Sequence, residues 1–293
     1  KGKSHFGENA AFDKTLPTNY LADEVIDDNK VDALLAKKYD ETIVIAEDDP
    51  EILAYLKDEL STNFRVIAVN NGYDAVKAVM DNEVSLILRD VLMPALNEFQ
   101  LCSNIKSNIA TCHIPIVLLT ALSDDNQRIY GIAEGADEYI HKPFNMQYVR
   151  LKIIRIIEER RRLADTFAQK FGRLTRHEAA NLPCVDDVFR DKLFDLIEAQ
   201  HSDSNFKIEL MSDMLGMSRI LLFRKITSIF GMSPSDLLRN FRLQKAVQLL
   251  TDQRRNVSEV AYTVGFSSPA YFAKCFKSVY NMTPTEYMYR TRE

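Results

Sequence analysis

"SLILRDVLMPALNEFQLC", residues 85–102, poses the problem on which the fold turns. Leu86, Ile87 and Leu88 read as a short strand that is apolar on both faces. Such a strand belongs inside a parallel sheet covered by helices on either side. The run then ends on Arg89 and Asp90, returns to apolar residues, and meets Pro94 four positions later. A carboxylate this close to a core is costly unless donors or cations meet it there. The rest of the chain has to supply that partner.

Working outward, further apolar runs of strand length lie at "TIVIAE" (42–47), "RVIAVN" (65–70) and "IPIVLLT" (114–120), with a shorter one at "EYIH" (138–141). Helical stretches begin near Pro50, Gly72, Asn97, Asp124 and Asn145. Five strand–helix units over about a hundred residues predict an α/β domain, a doubly wound, flavodoxin-like (βα)5 fold on a parallel sheet. The helix after Asn145 reads as unusually long, lacking Gly until 172, and is expected to run from the first domain towards the second. Residues 1–40 are polar and nearly patternless, with a weak helical stretch near Val31–Leu35, and read as a tail or linker.

Length and charge support a second domain. At 293 residues the chain is long enough for two domains of ordinary size. Residues 206–293 carry 13 Lys+Arg against 7 Asp+Glu, a balance of +6 in a chain whose total is −5, so residues 1–205 stand at −11. An acidic front and a basic back point to different partners. No apolar run approaches the roughly 20 residues of a membrane helix, and no secretory signal is expected. Cys102, Cys112, Cys184 and Cys275 are scattered singly, as free thiols of a reducing cytoplasm are.

Loops at the carboxyl ends of parallel strands converge on one crevice. It would gather Glu47, Asp48 and Asp49 after the first strand, Asp90 after the third, Thr120 at the end of the fourth, and Lys142-Pro143 after the fifth. Several carboxylates stay ionised together only with a cation between them, and all-oxygen donors suit Mg²⁺. A lysine and a hydroxyl alongside suit a phosphoryl group: one neutralises charge, the other donates to an oxygen. With that charge screened, a carboxylate can act as nucleophile and form an aspartyl phosphate.

These motifs, "AEDDPEI", "RDVLMP", "LLTA" and "GADEYIHKPF" in this order, make residues 41–147 resemble the receiver domain of two-component systems. The resemblance implies Asp90 as phospho-acceptor and Mg²⁺ held by Asp48, Asp90 and the backbone carbonyl of Leu92, with Glu47 acting through water. It implies that Thr120 and Lys142 contact the phosphoryl group, that Tyr139 is a switch residue turning inward on activation, and that Lys142-Pro143 is a cis peptide. It also implies a regulator that accepts phosphate and is not itself an enzyme. Two departures from the family pattern stand out: Arg89 occupies a position where a small or apolar residue is usual, and Asn97-Glu98 replaces Asp-Gly. Arg89 points opposite to Asp90 along the strand and needs a carboxylate or an exit to water. Aspartate-nucleophile phosphatases place a second carboxylate two residues after the nucleophile, and here that position is Leu92, so the general acid is missing.

Beyond Asp186 the pattern is helical throughout and contains an internal repeat. "LGMSRILLFRK" (215–225) and "VGFSSPAYFAK" (264–274) share Gly, a Ser two residues on, a Phe seven residues on, and then Lys. Each is followed by an echo, "GMSPSD" (231–236) and "NMTPTE" (281–286). Gly231 and Asn281 tolerate the left-handed conformation that closes a helix, and each Ser/Thr-Pro pair starts the next. The half thus holds two helix-turn-helix units.

"NVSEVAYTVGFSSPAYFAKCFK" followed by "MTPTEY" makes residues 186–293 resemble the AraC-type DNA-binding domain. That implies an all-α domain with two helix-turn-helix units joined by a long helix near Ser235–Leu250. Its recognition helices would enter successive major grooves of promoter DNA. Matched DNA-contact positions are Arg219, Ile220, Leu221 and Arg224 in the first unit. In the second they are Ser268, Ala270, Tyr271, Lys274 and Lys277. Phe223 and Phe272 read as core. Apolar Ile220 and Leu221 can meet thymine methyl groups but make no bidentate hydrogen bond. Lys207 occupies a position where a Ser/Thr cap is common, which is expected to cost the adjoining helix about 1 kcal/mol.

The organisation expected is therefore 1–40 tail or linker, 41–147 receiver, 148–185 helical linker and 186–293 DNA-binding domain. "KGKSHF" at the start resembles the last strand of a histidine-kinase ATP-binding domain, which implies an upstream kinase in the same parent chain, itself anchored in the inner membrane. The segment is expected to be cytoplasmic, without membrane contact, and a homodimer when active. Two other readings stay open: a phosphorylation-independent DNA binder with a structural receiver, and a phosphorelay protein whose helical domain binds protein.

Overall fold

The five apolar runs become five parallel strands: β1 (Thr42–Ala46), β2 (Arg65–Val69), β3 (Leu86–Asp90), β4 (Ile116–Thr120) and β5 (Glu138–His141). They form one sheet in the order β2-β1-β3-β4-β5. The computed structural model describes residues 28–90, 98–120, 136–171, 186–251 and 255–290. Leu92, Asn97 and the expected helix start at Asp124 lie outside the described residues.

Two compact units result. One holds the sheet and takes residues up to Ser107 with Ile114–Ile157; the other takes Asn108–His113 and everything from Glu158 on. In the first unit, side chains alternate across the sheet as the strand period of two requires. Ile43, Ile45, Leu86, Leu88, Val117 and Leu119 share one core with Leu56 and Leu60 of α2 (Pro50–Ser61). Val44, Ala46, Ile87, Ile116 and Leu118 face the other way, against α3 (Gly72–Asp81) and α4 (Glu98–Ser107). Burial on both faces explains why these strands carry no polar alternation. The chain runs outward from β1 to β2 and then returns to β3, so the switch point lies between β1 and β3. Their carboxyl ends open onto one crevice.

Two segments that the sequence assigns to linkers contribute to cores. Helix α1 (Asp28–Ala36) brings Leu34 and Leu35 against the sheet, and Tyr39 stacks on Phe64 with ring centroids 5.2 Å apart. Helix α5 (Met146–Phe171) buries Val149, Ile153, Ile154 and Ile157 in the first unit and Ala164, Phe167 and Phe171 in the second. Its apolar residues recur at helical spacing on either side of the charge block Glu158–Arg162.

The second unit is helical: α6 (Asp187–Gln200), α7 (Ile208–Met214), α8 (Arg219–Phe230), α9 (Pro234–Thr251), α10 (Val257–Thr263), α11 (Pro269–Tyr280) and α12 (Pro284–Arg290). Helices α7–α8 and α10–α11 are the two repeats, and α9 is the long connecting helix. Gly231 and Asn281 end α8 and α11 at φ 65° and 58°, the left-handed caps expected of them. Lys207 precedes α7 without a side-chain cap, while Asn256 and Glu259 form a full capping box on α10. Gly265, at φ 90°, closes the turn before α11, and an added Cβ there would lie 2.1 Å from the His201 carbonyl oxygen. Only glycine fits that turn.

The structure corrects one core assignment. Phe272 is fully buried, but Phe223 is 48% exposed. Ser218 caps α8 two residues after Gly216, whereas Ser268 caps α11 three residues after Gly265. Aligning the repeats on their glycines therefore slips the helices by one residue. Counted from the caps, Leu222 is the partner of Phe272, and Leu222 is buried.

Candidate functional site

At the switch point, β1 ends directly before Glu47, and β3 ends on Asp90. Glu47 and Asp90 are buried, with 1% and 6% of their surfaces exposed, while Asp48 faces solvent. One carboxylate oxygen from each of Glu47, Asp48 and Asp90 lies within 4.8 Å of the others. Asp49 does a different job: its Oδ1 accepts from the amides of Glu51 and Ile52 and caps α2. The cap pins the loop that carries Glu47 and Asp48.

The fourth strand and the loop after the fifth complete the crevice. Lys142 Nζ lies 2.9 Å from Asp90 Oδ2 and 3.3 Å from Glu47 Oε2. Its backbone amide donates to the Thr120 carbonyl at 2.6 Å, and the Lys142–Pro143 peptide is cis. Thr120 is buried at the end of β4, one strand away from Asp90. Tyr139, on β5, is half-buried beside the core of Ile116 and Leu118. The opening puzzle is thus resolved in part: Asp90 is tolerable because Lys142 pairs with it.

The other Asp90 oxygen, Oδ1, is buried without a hydrogen-bond partner among the described residues. An orphaned carboxylate oxygen beside two further carboxylates fits a hard cation. Glu47, Asp48 and Asp90 are therefore the residues present that would hold Mg²⁺. The carbonyl of Leu92, expected among the ligands, lies outside the described residues. Arg89 does not exit to water: it is buried on the opposite side of the strand, with Nη1 3.6 Å from Cys102 Sγ.

Burial pushes the Glu47 carboxyl up to about 7, with the Asp90 charge adding to it and Lys142 and the Asp49 amide opposing. Without a cation the folded chain holds a proton there that the unfolded chain, near 4.5, has lost. This group's contribution to stability therefore falls as pH rises from about 4.5 to about 7, by about 3 kcal/mol. In EDTA, the urea midpoint of the first unit should fall across that window, and Glu47→Gln should flatten the fall. A wild-type midpoint that tracks the variant at every pH would contradict this account.

In the second unit, Ser218 and Ser268 cap α8 and α11 by accepting from Leu221 and Tyr271 amides. Arg219, Ile220, Ala270, Tyr271, Lys274 and Lys277 are exposed, and Arg224 is half-buried. Leu221 instead packs against the unit's core, off the face that carries Ile220. Phe223, read as core, joins that exposed face.

One buried cluster went unnoticed in the sequence. Lys225, fully buried on α8, places Nζ 2.6 Å from Asp186 Oδ2, 3.2 Å from Cys112 Sγ and 4.6 Å from the centre of the Phe189 ring, and it donates to the Ile109 carbonyl. Cys112 Sγ donates to Asp186 at 3.0 Å, and burial together with that bond raises its thiol pKa. Only comparison with the second repeat gives a hint, because the cap-aligned partner of Lys225 is Cys275.

Comparison with known proteins follows the same division. Residues 43–154 match the family model for the response regulator receiver domain, and residues 211–290 match one for a helix-turn-helix domain. The chain is 37% identical over 269 residues to histidine kinase P4 of Formosa agariphila, covering 92% of this chain and 20% of that protein. It is 30% identical over 192 residues to response regulator GtcR of Aneurinibacillus migulanus, covering 63% of this chain and 74% of that one. Over 113 residues it is 37% identical to transcriptional regulatory protein GltR of Pseudomonas aeruginosa, covering 38% of this chain and 47% of GltR. The chain therefore spans a fifth of the first of these relatives and less than half of the last. Among the described residues no helix is long and apolar enough to cross a membrane.

Proposed function

Because the chain belongs to the response regulators, with a receiver domain ahead of an AraC-type helix-turn-helix domain, we propose that it is a transcription regulator controlled by phosphorylation of Asp90. The observation that carries this reading is Asp90 itself: a buried carboxylate with one oxygen on Lys142 and the other without a hydrogen-bond partner among the described residues. A carboxylate oxygen of Asp90 attacks the phosphorus of a phosphohistidine on a histidine kinase. The P–N bond breaks, and the imidazole leaves with its electron pair and takes up a proton. Lys142 moves from Asp90 to the phosphoryl oxygens, and the Thr120 hydroxyl donates to one of them. Glu47, Asp48 and Asp90 would hold Mg²⁺, which would supply positive charge to offset that of the phosphoryl oxygens. The Leu92 carbonyl is proposed as a further ligand.

Tyr139 is the proposed switch, turning inward once Thr120 has moved. That biases an equilibrium between two receiver conformations, one of which pairs as a homodimer. The output is promoter DNA binding by α8 and α11, with the recognition helices in successive major grooves about 34 Å apart. Arg219, Ile220 and Arg224 of α8, with Ser268, Ala270, Tyr271, Lys274 and Lys277 of the second repeat, are the proposed contacts. We place the phosphodonor on a histidine kinase, as part of the same polypeptide or separate from it.

Duplex binding at two salt concentrations tests the DNA half of this reading. Arg224, Lys274 and Lys277 on three phosphates give a log–log salt slope of about −2.7 and a loss of about fortyfold between ~50 and ~200 mM salt. Affinity unchanged over that range would sink the nucleic-acid role. A donor such as acetyl phosphate should shift the affinity in wild type only, so an equal shift in Asp90→Asn counts against phosphorylation control.

A further inference from the structure

We propose that the two recognition helices read DNA by different chemistry, and that α8 selects a thymine-rich half-site through base methyl groups met by Ile220 and Phe223. The inference rests on the DNA-binding role proposed above. Counted from Ser218 and Ser268, both helices run 12 residues to a left-handed cap. That register pairs Arg219 with Pro269, Ile220 with Ala270, Phe223 with Ala273, and Arg224 with Lys274. One turn further on, Thr227 pairs with Lys277. All these positions fall within about 140° of the helix circumference. Leu222, Lys225, Ile226 and Ile229 are buried on the opposite side.

The two outward faces differ in kind. On this arc helix α11 presents small side chains at 270 and 273 with lysines at 274 and 277, so its cations meet phosphates or base acceptors; its exposed aromatic, Tyr271, holds the position of Leu221 in α8, outside the arc. Helix α8 presents bulk instead: Ile220 is 63% exposed and Phe223 48%. Neither fills the core, because Leu222 and Ile226 already do. The polar capacity of this face is also reduced, since Arg219 Nη1 is paired with Glu209 Oε1 at 3.0 Å.

The major groove offers one apolar group, the C5 methyl of thymine. Against the edges of G, C or A, an isoleucine or phenylalanine would strip water from donors and acceptors without replacing it, which discriminates by penalty as well as by attraction. A protein partner could also cover an apolar face. The +6 balance of residues 206–293 and the cation at Arg224 on this same face favour a polyanion.

Uracil carries every hydrogen-bonding group of thymine and lacks only the methyl, so it isolates this contact. Duplexes retained by the full chain would be selected from a random-sequence pool. Thymine would then be exchanged for uracil in one half-site at a time. The expected result is a loss of about fourfold for each methyl contacted, or about fifteenfold for two, confined to one half-site. In Ile220→Ala/Phe223→Ala, whose exchanges sit on the surface, thymine and uracil duplexes should bind alike. Lys274→Ala should weaken all duplexes and keep the thymine preference. Equal binding of thymine and uracil duplexes by wild type would overturn the inference while leaving DNA binding intact. So would a uracil effect that persists in the double variant. Failure to retain any duplex at low salt would sink the proposed DNA-binding role as well.

Discussion

Exchange of Asp90 for asparagine is expected to abolish phosphoryl uptake outright. Wild-type protein incubated with acetyl phosphate and Mg²⁺ should gain one phosphoryl group by intact mass; the variant, or wild type in EDTA, should gain none. Asparagine keeps the shape of the side chain and still offers Lys142 an oxygen, so the loss isolates chemistry from folding. The amide oxygen lacks the negative charge that makes the carboxylate a nucleophile. The substitution also removes a charge that raises Glu47 and leaves Lys142 its second carboxylate partner, Glu47, at 3.3 Å, so the variant should stay folded without metal. A mass gain in Asp90→Asn would place the acceptor elsewhere. No gain in wild type, under conditions that label another receiver, would make this a silent one. Arg89 gives no reason to expect silence, because it is buried on the face of β3 away from the crevice.

The crevice was legible in the sequence because it is built from strand ends. Apolar runs locate β1, β3 and β4, and parallel strands order their carboxyl ends together. Glu47, Asp90, Thr120 and Lys142 follow from position alone. The helix ends were legible for a similar reason: Gly231, Ser233, Asn281 and Thr283 act on backbone within a few residues of themselves. The orientation of the first recognition helix was not. A single-residue difference between glycine and cap turns a helix by about 100°, enough to exchange Phe223 for Leu222 in the core. Aligning the repeats on cap and left-handed terminus, rather than on the turn glycines, would have corrected it. The core contacts of α1 and α5 were not legible either, because Leu34 and Leu35 and the buried residues of α5 sit among polar and charged neighbours and meet partners remote in sequence. Lys225 was beyond reach altogether: its partner Asp186 is 39 residues away and Ile109 is 116 away, with no local spacing to betray either.

That buried pair carries the second large effect. Asp186→Asn should destabilise the helical unit by about 3–5 kcal/mol, because it leaves the Lys225 ammonium buried without a counter-charge. Asparagine is the informative exchange, since Asp186 also caps α6 by accepting from the Phe189 amide, and an asparagine can keep that bond. Adding Lys225→Met should recover most of the loss. The cap-aligned position in the second repeat is filled by Cys275, so an apolar side chain suits this site on the helix. Urea unfolding followed by far-UV circular dichroism would show the single variant shifted to a lower midpoint and the double variant close to wild type. Acid provides an independent check. Burial alone would raise the Asp186 carboxyl, but hydrogen bonds from Lys225, Cys112 and the Phe189 amide overcome it and hold it below its ordinary value. The pair's contribution is therefore complete above the unfolded carboxyl's pKa, near 3.8, and is lost as pH falls through the lower folded value. Wild type should lose more stability than the double variant on going from neutral pH to below that range. If Asp186→Asn unfolds at the wild-type midpoint, the pair is not a buried charge that needs its partner, and the lysine must reach water in solution.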